Sequence, residues 1–339
     1  MSSGNPLLAF PNLAAGLSQV EEELRASVRT DDPFLTEVAG HLILAGGKRV
    51  RPGFSMAAAL AVHVSEQPVP IEAVMGGVAC ELVHLGSLYH DDVMDEAATR
   101  RGADSVNARW NNLRAILAGD YLLARASEIA ASLGTEVAGL LANTIARLCE
   151  GQVRELQDTY NIDRTEADYL VSIDGKTASL LATSCRIGGI VADLPRDLID
   201  TLTTFGHSYG MAFQVVDDIL DITATDEQLG KPAGNDVVEG VFTLPVLRAL
   251  ETEAGPRLRQ LLTREAEFGG TPPVIDLRTR DEARALVRAS GAVEASLAVA
   301  QEFASQAVAA LDPVAATAAS APLRAATDHL LERVAAVAG

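Results

Sequence analysis

The 339-residue chain is predicted to be all-α, on three observations. Hydrophobic residues make up 48% of it and are rich in alanine; they recur at helical spacing in nearly every periodic segment; and strand-type alternation is scarce. The length allows one or two domains and a large buried core. No linker is long enough to separate domains, so the simplest organisation is one helical domain over residues 1–339, loosely ordered through 16.

The first helix is expected over Leu17 to Val28, and Asp31-Asp32-Pro33 signals the start of a second, which Gly46-Gly47 stops. Lys48, Arg49 and Arg51 follow in a loop closed by Pro52. Three cations there suit a diphosphate, with arginine forks for bidentate contact, although such loops are also common as plain solvated surface. A third helix runs from about Gly53 to Val64, and Pro68 and Pro70 separate it from a fourth. That fourth helix carries Val74, Val78, Leu82 and Leu85 on one face and ends in His90-Asp91-Asp92-Val93-Met94-Asp95. Asp91 and Asp95, one turn apart, share a face and can hold a divalent cation between them. Mg2+ is the expected ion, since it takes one or two carboxylates and fills its other positions with water and phosphate oxygens.

Glu96 to Gly102 turns the chain back with Arg100 and Arg101, and helices follow at about Leu113–Ala131, Glu136–Asp158 and Glu166–Val191. The last carries Lys176-Thr177 in its middle, where an ammonium among apolar neighbours must find a partner or snorkel to the surface. The next helix, with Phe205, Met211, Ala212 and Val215, ends in Asp217-Asp218-Ile219-Leu220-Asp221, repeating the spacing of the first acidic motif. One acidic helix end is usually solvated surface; two matched ones suggest two walls of a metal-filled cleft. A glycine-punctuated loop with Lys231 then runs to Asp236 and is suited to closing over a ligand. From Thr243-Leu244-Pro245 onward the chain is helical, interrupted near Gly269-Gly270, Pro272-Pro273, Pro313 and Pro322.

The formal net charge of −19 argues against nucleic acid or an anionic lipid surface as the main partner. An acidic chain that binds phosphate must do so through metals and a few local cations. Cys80, Cys149 and Cys185 each lie in an apolar helical pattern without paired spacing, as buried thiols of a reducing compartment do. The first basic residue is Arg25, and no run approaches the roughly eighteen apolar residues that span a bilayer, so a cytoplasmic location is expected.

Taken together and in this order, Gly46-Gly47-Lys48-Arg49 with Arg51-Pro52, His90-Asp91-Asp92-Val93-Met94-Asp95 with Arg100-Arg101-Gly102, Lys176-Thr177, Gln214 with Asp217-Asp218-Asp221, and Gly230-Lys231 with Asp236 resemble the trans-polyprenyl diphosphate synthases. The resemblance runs from about residue 30 to 250. It implies an isoprenoid synthase fold, an all-α bundle around a central cavity, usually homodimeric, that joins isopentenyl diphosphate to an allylic diphosphate head to tail. By the same resemblance, Asp91, Asp95 and Asp217 are the magnesium ligands, supported by Asp92, Asp218 and Asp221. Arg100, Lys176, Gln214 and Lys231 contact the allylic substrate, Lys48, Arg51, His84 and Arg101 hold isopentenyl diphosphate, and Thr177 lies near the reacting allylic carbon. The product lipid is one that can be handed to a membrane. Two positions depart from the pattern: Val241 stands where many relatives have Lys, and Glu150-Gly151-Gln152-Val153-Arg154-Glu155 lacks the usual Glu-then-Gln order.

A class I terpene cyclase shares the ionisation step but mixes Asn, Ser or Thr with Glu in its second motif; a non-catalytic partner subunit tends to lose carboxylates, and this chain keeps six. A His90-Asp91 phosphohydrolase would leave the second triplet unexplained. For product length, the face of the fourth helix below Asp91 carries Ser87 and Gly86, Val83 and His84, Ala79 and Cys80, then Gly76, with no aromatic ring. Tyr89 points roughly 200° away. An open tunnel predicts a heptaprenyl to decaprenyl product, of the kind used for quinone side chains or lipid carriers, with a farnesyl or geranylgeranyl product as the alternative.

Overall fold

A computed structural model describes residues 6–63, 67–229, 232–264, 274–318 and 320–338. After a 3-10 turn at Pro6–Ala9 come α1 Pro11–Ser27, α2 Pro33–Leu44, α3 Val50–Leu60, α4 Ile71–Met94, α5 Val106–Trp110, α6 Asn112–Ser132, α7 Thr135–Gln157 and α8 Glu166–Ile173. A π-helical turn, Asp174–Ala178, leads into α9 Ser179–Val191. Then follow α10 Arg196–Thr223, α11 Asp226–Leu229, α12 Asn235–Val238, α13 Leu244–Leu250, α14 Gly255–Leu262, α15 Leu277–Ala289, α16 Ala292–Ala310 and α17 Ala321–Ala338.

Local chemistry sets several of these boundaries. Asp32 caps α2 by accepting from the Phe34 and Leu35 amides, with Pro33 at the first helical position. Thr165 and Asp168 form a reciprocal capping box on α8. Helix α1 starts at Pro11, earlier than the sequence suggests, because Leu13 and Leu17 belong to its buried face; of the segment expected to be loose, residues 1–5 lie outside the described ones. Where the sequence suggests only a turn after Asp95, the chain makes a small hairpin, β1 Thr99–Arg100 with β2 Ala103–Asp104. Arg101 and Gly102 at its tip both have positive φ, 56° and 75°, as a tight two-residue hairpin turn requires.

The chain groups into two compact units. The first comprises Met1–Ala146, Leu180–Gly206 and Val308–Thr327, and the second Arg147–Ser179, His207–Ala307 and Asp328–Gly339. Helix α4 is the core of the first, packed against α6, α3 and α1. It corrects one expectation: its 24 residues are long and apolar enough to cross a membrane by length and composition, and most of that stretch is buried inside the unit. Tyr89, fully buried, turns toward α2, donating to the Val38 and Ala39 carbonyls at 2.9 and 3.1 Å and accepting from the Leu42 amide. In the second unit α13, α14 and α15 pack together and α12 lies on α15. Cys80 and Cys185 are buried as expected, but Cys149 is exposed, because it falls on the outer side of α7.

Close helix approach is set by glycine. A Cβ on Gly188 of α9 would lie 2.0 Å from the Ser55 carbonyl oxygen, a backbone atom that cannot swing away, whereas a Cβ on Gly139 of α7 would meet nothing within 4 Å. Gly188→Ala is therefore expected to destabilise the protein by about 1–3 kcal/mol, and Gly139→Ala to stabilise it by about 0.5–1 kcal/mol. Denaturant unfolding of the two variants checks this; equal effects of either sign contradict the packing.

Candidate active site

In the first unit the acidic end of α4 is held by its neighbours. The Ala97 amide and the Asn107 side-chain amide both donate to the Asp92 carbonyl, at 3.0 and 2.9 Å. The Asp92 side chain is fully buried, and Arg100 grips its Oδ1 through Nε at 2.7 Å and Nη2 at 2.6 Å. Burial raises the Asp92 pKa and Arg100 opposes that rise. Arg100, assigned from sequence to the substrate, is thus engaged by Asp92. Asp91 is half-buried and Asp95, the C-cap residue, is exposed, so these two are left at the outer end of the helix.

The cation loop folds onto the same unit. Arg49 occupies a left-handed conformation, φ 48°, at the N-cap of α3. Its buried guanidinium compensates for that strain by binding Glu21 at 2.6 Å, Glu81 at 2.9 Å and the Ile43 carbonyl at 3.1 Å. Arg101 donates to the Gly46 and Leu42 carbonyls and stands 3.8 Å from the same Glu81, so hairpin and loop are tied together. Lys48 is exposed and Arg51 half-buried. Burial, then the charges of Arg51, Arg101, Arg100 and Arg49, drive the His84 pKa well below its ordinary value. Of the residues assigned to isopentenyl diphosphate, Arg51 and Arg101 therefore lie near a neutral His84, and Lys48 belongs to the same loop.

In the second unit the middle aspartate is again the buried one. Asp218 accepts from the Tyr169 hydroxyl at 2.6 Å and from the Gln214 amide at 2.8 Å, and Gln214 accepts from the Thr177 hydroxyl at 2.7 Å. Burial pushes the Asp218 pKa up to about 7 and these hydrogen bonds oppose it. Asp221 is buried, while Asp217 is 40% exposed and accepts from Arg333 of α17 at 3.0 Å. Lys176 projects from the π-helical turn and pairs with Glu155, so the Gly151-to-Glu155 stretch that departs from the family pattern still supplies it a partner. That turn exists because α7 passes backbone to backbone: a Cβ on Gly175 would lie 2.8 Å from the Arg147 carbonyl. Arg284 and Arg288 of α15 cap the end of α10, donating to the Ile222 and Ala224 carbonyls. Lys231 lies outside the described residues.

Sequence reading missed Glu81, Asn107, Glu155, Tyr169, Arg284 and Arg333. Each acts through a contact distant in sequence, and only Tyr169, an aromatic in a helical pattern, carried any local signal.

Among the described residues no three His, Cys, Asp or Glu side chains gather as a ready-made metal site. The donor set still fits Mg2+, because Asp91 and Asp95 are hard oxygen donors one turn apart at an accessible helix end, leaving positions for water and phosphate oxygens.

The chain matches the family model described as Polyprenyl synthetase over residues 32–269. It is 42% identical over 297 residues to the nonaprenyl diphosphate synthase of Mycobacterium tuberculosis, covering 86% of this chain and 85% of the relative. It is 40% identical over 301 residues to heptaprenyl diphosphate synthase component 2 of Geobacillus stearothermophilus, covering 88% and 90%. Its fold matches that of a polyprenyl synthase from Caulobacter crescentus complexed with calcium and isoprenyl diphosphate, with a TM-score of 0.87, 31% identity and 98% of each chain covered. The all-α isoprenoid synthase fold expected from sequence is the one found.

The His84 environment has a pH consequence. Its folded pKa is below its unfolded one, so as pH falls through about 6.5 the unfolded chain takes up a proton that the folded chain refuses, and stability declines. The unfolding free energy is expected to fall between pH 7 and 5.5, with His84→Asn removing some of that slope; identical slopes in both proteins contradict a neutral His84.

Proposed function

The chain belongs to the polyprenyl synthetase family, and from that premise we propose that it is a Mg2+-dependent synthase that extends an allylic diphosphate with isopentenyl diphosphate to a long-chain, all-trans polyprenyl diphosphate. The observation that carries this reading is the division of labour within each acidic motif. Asp92, Asp218 and Asp221 are buried, whereas Asp91, Asp95 and Asp217 each keep exposed surface in their own unit. Asp91 and Asp95 in one unit and Asp217 in the other would be the ligands of Mg2+, whose charge would offset that of a departing diphosphate.

The chain's own residues supply the rest. Lys48, Arg51 and Arg101 offer fixed positive charge to isopentenyl diphosphate, and neutral His84 offers a ring N–H without adding charge to the cluster. Thr177, fixed by its bond to Gln214, and Lys176 face the allylic substrate. The isopentenyl double bond supplies the electron pair for the new C–C bond, and the departed diphosphate can take the proton then lost, so no protein nucleophile is needed.

Long-chain product is supported by the face of α4 below Asp91, which bears no aromatic ring. Much of that face is packed within the unit, since a Cβ on Gly86 would meet the Gly119 carbonyl at 3.1 Å and Leu123 of α6 at 3.2 Å and one on Gly76 would meet Ile187 of α9, so the stronger support for a long chain is the likeness to nonaprenyl and heptaprenyl diphosphate synthases. A homodimer is supported by Leu113, Ile116 and Leu117, 67%, 41% and 57% exposed on the first turns of α6. The component 2 name of one relative favours a second reading, a separate partner subunit. A cytoplasmic, reducing location accords with the buried thiols of Cys80 and Cys185.

Incubation with labelled isopentenyl diphosphate, an allylic primer and Mg2+ is expected to give products in the heptaprenyl to decaprenyl range. Asp91→Ala and Asp217→Ala should each lower turnover by about 100-fold or more with helical content unchanged, and Ser87→Phe should shorten the product. Near-normal turnover in both Ala variants sinks the carboxylate assignment; only farnesyl or geranylgeranyl product from the unaltered chain sinks the open tunnel. Sedimentation of the chain alone as a monomer sinks the homodimer.

A further inference from the structure

Tyr209, Phe213 and Asp217 recur at four-residue intervals on α10 and so lie on one stripe of that helix. Arg333, near the end of α17, lies along this stripe. Its Nη2 donates to Asp217 Oδ1 at 3.0 Å, its guanidinium carbon is 6.0 Å from the Phe213 ring centroid, and Phe213 stacks on Tyr209 with centroids 6.2 Å apart. The Arg333 side chain is only 17% exposed. Position 333 is outside the residues that match the family model, 32–269.

We propose that Arg333 is a positioning residue of the metal site, a built-in counter-ion that a divalent cation must displace from Asp217. The inference rests on the assignment of Asp217 to metal made above. The guanidinium occupies part of the acceptor capacity of Asp217 at Oδ1, and it repels a metal cation on the same carboxylate across a short distance. While Asp217 has no metal, Arg333 holds its carboxylate oriented through the 3.0 Å contact. When metal arrives, the guanidinium has a second seat on the face of Phe213, so its release is a swing along α10 and leaves the helix folded. Metal affinity at the second motif is thus set partly from α17.

The test is a titration of the full-length protein with Mn2+ in the presence of inorganic diphosphate, followed by the EPR signal of free Mn2+, which reads binding without turnover. Arg333→Met, with Arg333→Gln as a second neutral variant should the first fail to fold, is expected to bind Mn2+ about two- to fivefold more tightly than the unaltered chain, the range an ion pair of this exposure supports. In an Asp217→Asn background the same change is expected to have no effect. Equal or weaker Mn2+ binding by the neutral variants overturns the counter-ion role while leaving Asp217 as a ligand. If Asp217→Asn binds Mn2+ as well as the unaltered chain, the metal assignment itself fails and the inference falls with it.

Discussion

An ionised carboxylate buried without partners costs several kcal/mol, and the site depends on meeting that cost at Asp92 and Asp218. Arg100 meets part of it for Asp92 through Oδ1, the buried Oδ2 having no hydrogen-bond partner, and the Asp92 carbonyl receives the Asn107 amide. Tyr169 and Gln214 meet it for Asp218, which burial brings up to a pKa of about 7. Fixing the middle residue of each motif fixes the rotation of its helix. The adjacent carboxylates, Asp91 and Asp217, then have no freedom to turn inward. The two solutions differ chemically, a guanidinium in one unit and neutral hydrogen-bond donors in the other, yet they impose the same order on their motifs.

The cation loop obeys a related constraint, since positive charges gathered for a polyanion repel one another until it binds. Glu81 is the remedy, a buried carboxylate near both Arg49 and Arg101. Arg49 serves as an anchor: it carries the left-handed turn into α3, while the exposed Lys48 and half-buried Arg51 on either side are the ones assigned to ligand. Keeping His84 neutral limits the positive charge further. An acidic protein can thereby concentrate local positive charge in one loop.

Much of the fold was legible because helical periodicity is a local property; α4 and α10 could be read from Val74, Val78, Leu82 and Leu85 and from Met211, Ala212 and Val215. The acidic motifs were legible for the same reason. The hairpin at Thr99–Asp104 was not, because four paired residues are too few to alternate, and one of its left-handed positions is filled by Arg101 instead of glycine. The π-helical turn was hidden because its cause, the approach of Gly151 to Gly175, joins distant segments. Lys176 showed itself as a problem in sequence, but its answer, Glu155, required the fold. Arg100 stood out in sequence as a cation after the acidic motif, but its pairing with the buried Asp92 required the fold.

The central proposal is that the allylic diphosphate needs metal to bind and isopentenyl diphosphate does not, and calorimetric binding with and without Mg2+ tests it most directly. With a non-ionising thiolodiphosphate analogue of the allylic substrate, binding is expected to be lost when EDTA removes the metal. Isopentenyl diphosphate is expected to bind comparably in both conditions, because Lys48, Arg51 and Arg101 suffice for it. Equal metal dependence of the two ligands would contradict the account.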